Sequence, residues 1–163
     1  MTTHRYAVPD RFTPAHLRIL AKLATGASSA SVALDLEITT GTLATQVQAM
    51  GRRTGVSGRA PLLHIAYRTQ QLPRPEQATF DGIPDEIELQ MVQLVASGAA
   101  IPEIADACRI SRGTAKHRLK LLRDRAGAAN DVQLIALGWC YGWLDESLEV
   151  RPADFLSAAP TRG

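Results

Sequence analysis

The sequence predicts an all-α chain made of one four-helix unit built twice, and three observations predict it. The first is self-similarity. Shifted by 72 residues, positions 17–67 lie on 89–139 without a gap, and eleven are identical, among them Gly26/Gly98, Ile38/Ile110, Gly41/Gly113, Thr42/Thr114, Arg53/Arg125 and Gly55/Gly127. Others keep only their apolar character, such as Leu20/Val92, Val32/Ile104 and Val47/Leu119. A fixed offset of this kind marks a repeated structural unit. The second observation is period: apolar residues recur at helical spacing. The third is punctuation. Hydroxyl residues and prolines stand where helices would start, and glycines where they would stop. At 163 residues the chain then holds two units of about 60–70 residues each. Units that small are marginal alone, so the copies are expected to pack on each other.

Each element follows in order. Residues 1–12 read as an irregular lead-in. The first unit spans 13–71. Thr13-Pro14 caps a helix carrying Leu17, Leu20, Leu23 and Ala24, and Gly26 ends it. A short helix over about 30–36 turns Val32, Ala33 and Leu36 inward. Thr39 or Thr40 caps a longer one to about Thr54 that buries Leu43, Val47 and Met50, stopped by Gly55. A fourth covers 59–71 with Leu62, Leu63, Ile65 and Ala66. Residues 72–83 form a linker stiffened by Pro73 and Pro75. The second unit, 84–148, repeats the order: helices over 84–97, 102–108, from Ser111 or Arg112 to Ala126, and from Asn130 into Trp143. The tail, 149–163, is expected to hold one short helix near 152–156.

Composition excludes several classes. Apolar content is 45%, ordinary for a folded chain. No apolar run approaches the about 18 residues of a membrane span, and Met1-Thr-Thr-His-Arg is no signal-peptide start, so a cytoplasmic protein without membrane partners is expected. Cys108 and Cys140 lack metal or redox spacing, and Cys108 stands where the first unit has Leu36, as a small buried apolar residue would. His4, His16, His64 and His117 lie on separate elements and read as surface residues rather than metal ligands. No catalytic constellation or phosphate-binding glycine loop appears, so neither an enzyme nor a cofactor is expected. Net charge is only +2, but residues 109–125 hold seven cations against the single acid Asp124. That local excess suits a polyanion on one face. Arginine-heavy, alanine-rich usage points to a GC-rich bacterial genome, since only Lys22, Lys116 and Lys120 are lysines.

In each unit the second and third helices are separated by a short turn, with inward residues holding them crossed and a hydroxyl capping the third. This is a helix-turn-helix layout, whose third helix can enter a major groove. A fuller pattern runs through the first copy: Thr13-Pro14, Leu23-Ala24-x-Gly26, Ile38-Thr39-x-Gly41-Thr42-Leu43 and Arg53-x-Gly55-Val56-Ser57-Gly58-Arg59-Ala60. Ala96-x-Gly98, Ile110-Ser111-x-Gly113-Thr114-Ala115-Lys116 and Arg125-x-Gly127 carry it in the second. It resembles the four-helix DNA-binding domain of the LuxR/FixJ/NarL transcription factors, over about 125 residues in all. The resemblance implies base contacts from Lys116, His117 and Lys120 in the second copy. Ser111, Arg112, Thr114 and Arg118 are placed for phosphates. In the first copy the matching third-helix positions are Ala44, Thr45 and Gln48, with Thr40, Thr42, Ser57 and Arg59 toward phosphate. Lysine can donate to guanine and glutamine can pair with adenine, but the first copy has no third-helix cation until Arg52 and Arg53. The second copy is therefore the expected main reader.

The resemblance also implies pairing through fourth helices. Two such helices in one chain allow a monomeric pseudo-dimer, and the helix rich in Trp139, Tyr141 and Trp143 allows a homodimer instead. Only 12 residues precede the first copy, so no receiver or ligand-binding domain is expected ahead of it, and regulation would come from expression level or a protein partner. The expected function is a sequence-specific double-stranded DNA-binding transcriptional regulator. The alternatives are an adaptor that grips RNA polymerase, a sigma factor or another regulator, and a non-regulatory architectural DNA binder.

Overall fold

The computed structural model describes residues 11–82 and 84–150, and among these it holds eight α-helices and no strand. They are α1 Pro14–Leu23, α2 Ser29–Leu36, α3 Thr40–Thr54 and α4 Arg59–Arg68, here half one. Half two is α5 Glu86–Ala96, α6 Ile101–Cys108, α7 Arg112–Ala126 and α8 Asp131–Cys140. No helix is long and apolar enough to cross a membrane.

The 72-residue register persists in the backbone. The bounds of α6, α7 and α8 are those of α2, α3 and α4 moved by that offset. Matched residues do the same local work. Thr39 and Ser111 both accept the amide of the third helical residue at 3.0 Å. Glu37 and Arg109 both take the left-handed conformation, at φ 59° and 60°, to end α2 and α6. Few side chains favour that region, so the turn geometry rather than the residue type is what both halves keep. Thr13 and Asp85 cap α1 and α5, each within a reciprocal capping box whose third residue is His16 or Glu88. That box starts α5 at Glu86 rather than at Pro84.

The fourth helices end sooner than expected, at Arg68 and Cys140. At α4, Gln70 turns left-handed at φ 64°, and the amides of Gln71 and Leu72 return to the Ala66 carbonyl. At α8, Gly142 does so at φ 80°, and Trp143 and Leu144 return to Gly138. The tail helix expected near 152–156 lies outside the described residues, as does His4.

Within each half, the second and third helices pack together and against the first. Across the halves, the most extensive helix contact is α4 along α8, and one continuous apolar core includes Leu62, Leu63, Leu134, Ile135 and Trp139. The contact has a two-fold pattern. Tyr67 and Trp139 are one repeat position, and their rings meet at 5.5 Å. Arg74 and Glu146 are another, joined by an ion pair of 2.7 Å. Off this axis, a side chain on Gly98 would meet Pro61 at 3.4 Å, and one on Gly26 would run into Gln133, the residue at the position of Pro61. Both glycines sit near φ +89°, which few other residues tolerate. Equivalent positions facing each other are what a self-complementary, isologous interface produces.

The linker is laid down rather than free. Gln77 and Ala78 bond the carbonyls of Trp139 and Cys140 at 3.2 and 3.0 Å, the Cys140 thiol donates to the Glu76 carbonyl, and the Arg74 guanidinium lies 4.9 Å over the Trp139 ring. Phe80 stacks on Tyr141 at 4.9 Å with Trp143 at its edge.

Candidate nucleic-acid interface

The face of α7 follows from its sequence. Ala115, Leu119, Leu122 and Ala126 recur at helical spacing and are buried. The residues between them must face outward. Arg112, Lys116 and Lys120, each one turn from the next, form an exposed stripe with His117 beside it. At 1.5 Å per residue the stripe is about 12 Å long. It begins at the positive end of the helix. Ser111 accepts the Thr114 amide and donates to the Thr114 hydroxyl at 2.9 Å, and the first intrahelical bond is Ala115 to Ser111. The Arg112 and Gly113 amides therefore precede the helix ladder, where an anion is favoured.

The seven cations of 109–125 are not equivalent. Lys120 is held by Asp124 at 3.0 Å, one turn on. Arg123 reaches Asp131 at 2.8 Å. Arg125 pairs with the buried Glu88 at 2.8 Å, and that guanidinium holds the Glu88 carboxyl below the usual carboxylate range. Arg109, Arg112 and Lys116 make no ion pair among the described residues.

Arg118, expected at a phosphate, leans toward the start of α5. It is partly buried and pairs with Asp85 at 2.6 Å, tying α7 to the start of α5. The nearer acid satisfies it. Arg59 likewise donates to the Ser29 hydroxyl at 2.6 Å, linking α4 to α2.

The corresponding face of α3 is nearly without charge. Thr40, Thr42, Ala44, Thr45 and Gln48 are exposed. The Thr45 hydroxyl donates to the Gly41 carbonyl at 3.0 Å, and Thr39 donates to Thr42 at 3.0 Å, so both hydroxyls already have a local partner. Arg52 is exposed. Arg53, also exposed, donates to the Arg11 carbonyl at 2.7 Å.

Two histidines depart from the expected surface placement. His16 and His64 are 3% and 0% exposed. His64 sits between the halves: the Trp139 indole donates to its Nδ1 at 3.0 Å, and its Nε2 lies 2.8 Å from the Leu148 carbonyl. A carbonyl cannot donate, so Nε2 carries the proton and Nδ1 accepts, which fixes a neutral ring. Burial lowers its pKa, and burial likewise lowers that of His16. His117 remains exposed on α7. Cys108 is buried as expected, and among the described residues no cluster of three His, Cys, Asp or Glu side chains could hold a metal ion.

Sequence reasoning missed the pairing of Arg118 with Asp85, although Asp85 at a helix cap was a visible acid. No family model, curated protein or solved structure matches the chain.

Proposed function

We propose that the chain is a sequence-specific double-stranded DNA-binding transcriptional regulator made of two LuxR-like helix-turn-helix units, with α7 as its main reader. One observation carries this. The Arg112–Lys116–Lys120 stripe stands outward at the N-terminal part of a helix whose opposite face is fixed in the core. A helix so held presents cations as a rigid row, which suits a groove lined by guanine N7 and O6 between two phosphate strands. His117 reads beside them, and Ser111, Arg112 and Thr114 set the helix on a phosphate. In half one, Thr45 and Gln48 are the side chains able to touch bases, with little electrostatic support.

The two-fold contacts favour a monomeric pseudo-dimer over a homodimer, because the α4 and α8 faces cover each other within one chain. The target is then two unlike half-sites bound by one molecule.

The test is selection of bound duplexes from a random library by the full chain at about 150 mM salt. Recovery of a site with one strongly and one weakly defined half is the expected result. Recovery of no motif, with affinity falling steeply with salt on every sequence, would replace this reading by an architectural binder. Poor binding to duplex at any salt would favour the adaptor reading, for which the uncharged α3 face is the supporting observation.

A further inference from the structure

Half one departs from the repeat at two exposed places, and the two departures complement each other. The first is a knob. Leu34 on α2 is 78% exposed, the most of any large apolar side chain among the described residues. Half two has Asp106 at that position. Two acids stand beside the knob: Asp35, held by Lys22 at 3.6 Å, and Glu37, exposed about one turn on and without an ion pair among the described residues. A lone exposed leucine is ordinary, so the knob by itself means little.

The second departure is a hole. Val47, Gln48, Gly51, Arg52, Val56 and Gly58 line a concavity of about 570 Å³ where α3 turns into α4. Gly51 is a poor helix former in the middle of a helix. Half two has Arg123 there, and that side chain crosses to Asp131. At Gly51 a side chain would meet the Val56 carbonyl at 2.8 Å, so the backbone wall of the hole is drawn in against a glycine that half two lacks. At its rim Arg52 is exposed and makes no ion pair among the described residues, whereas half two has Asp124 at that position.

We infer that this hole receives Leu34 of a second copy of the chain, with Glu37 of the incoming copy meeting Arg52. The occupant follows from charge: Glu37 beside the knob and Arg52 beside the hole are opposite in sign and neither is ion-paired among the described residues, so one copy carries both complementary parts. Leu34 does not line the hole of its own chain. The contact is thus heterologous, leaving a free hole at one end and a free knob at the other, and it grows as an open row unless its rotation closes. A contact this small is weak in free solution. It gains force between copies already held side by side, where effective concentration is high. The inference does not depend on the DNA reading and is tested without DNA.

The experiment is sedimentation velocity of the full chain from about 10 μM to about 1 mM, the range in which a contact of this size is populated. The expected result is a weight-average sedimentation coefficient that rises with concentration past the dimer value. Leu34→Asp, which installs the residue of half two, should weaken association about tenfold or more. Arg52→Asp should weaken it too, and Glu37→Arg added to Arg52→Asp should restore it. Circular dichroism checks that each variant is folded; Asp106, Asp124 and Arg109 already occupy these positions in half two. A coefficient constant over the whole range overturns the inference. So does association unchanged by Leu34→Asp, or a charge reversal that the second change fails to rescue.

Discussion

The two halves share a backbone register and almost nothing of their exposed chemistry. Half two presents cations on α7 and ties its helices with ion pairs: Arg118 to Asp85, Arg123 to Asp131 and Arg125 to Glu88. Half one presents small uncharged residues on α3 and buries a histidine, His16, where half two has Glu88. Caps, turns and inward apolar positions are kept because each answers a local demand of the backbone. Outward positions carry no such demand, so they are where one half can acquire a function that the other lacks.

The axis between the halves gives the strongest way to break this comparison. Trp139 and Tyr67 occupy the same repeat position, but Trp139 alone also donates to His64. Trp139→Ala should cost about 3–5 kcal/mol, leaving a large cavity and a buried Nδ1 with no donor. Tyr67→Ala should cost less. Urea unfolding of the two variants measures both. Equal costs would mean that the indole–imidazole bond adds nothing to the joint between halves.

The halves should also separate by pH. His16 and His64, both of half one, have pKa values lowered from about 6.5 by burial. Protons then bind the unfolded chain first as pH falls. The stability at stake is complete above about 6.5 and declines below it, toward the folded values. In half two, the Glu88 amide lowers the pKa of Asp85 and Arg125 that of Glu88, so their contribution persists until the carboxylate range and is lost only as pH falls through the depressed values. Urea midpoints at about pH 7.5 and about pH 5.5 should therefore fall with acid, and His64→Gln should flatten the fall. A midpoint that does not move would mean that the histidines protonate without cost.

For DNA the comparison sharpens into a pair of substitutions. Lys116→Ala or Lys120→Ala should cost about 1–3 kcal/mol on the selected site and relax one base position. Gln48→Ala, at the position matching Lys120, should cost less, since half one adds little phosphate attraction. Binding titrations on the selected duplex and on single-base variants decide it. A larger effect at Gln48 would make half one the reader.

What was legible in the sequence divides along the same line. The offset, the caps at Thr39 and Ser111 and the inward residues of α7 depend on near neighbours in the chain, and the sequence carries them openly. The ends of the fourth helices are less legible: apolar residues continue past Cys140 and no breaker follows Arg68 before Pro73, while the left-handed residues Gln70 and Gly142 stop the helices. The burial of His64 depends on Trp139 and Leu148, far along the chain, and no local pattern announces it. Arg118 reads as an outward cation until α5 brings Asp85 against it.

Arg118 is therefore the finest test of how far the repeat predicts function. Its counterpart in half one is Gln46, and that of Asp85 is Thr13, so the pair exists only in half two. A partly exposed ion pair contributes about 0–1 kcal/mol. Arg118→Ala should lower stability by no more than that and leave the salt dependence of DNA binding unchanged. If Arg118 instead leaves Asp85 to meet a phosphate, the substitution weakens binding to all sequences alike and reduces the salt slope by about 1. The two outcomes differ in kind, because a strut is read in the unfolding curve and a phosphate contact in the slope. A reduced slope would mean that α7 uses more of its cations on DNA than the stripe of Arg112, Lys116 and Lys120 alone.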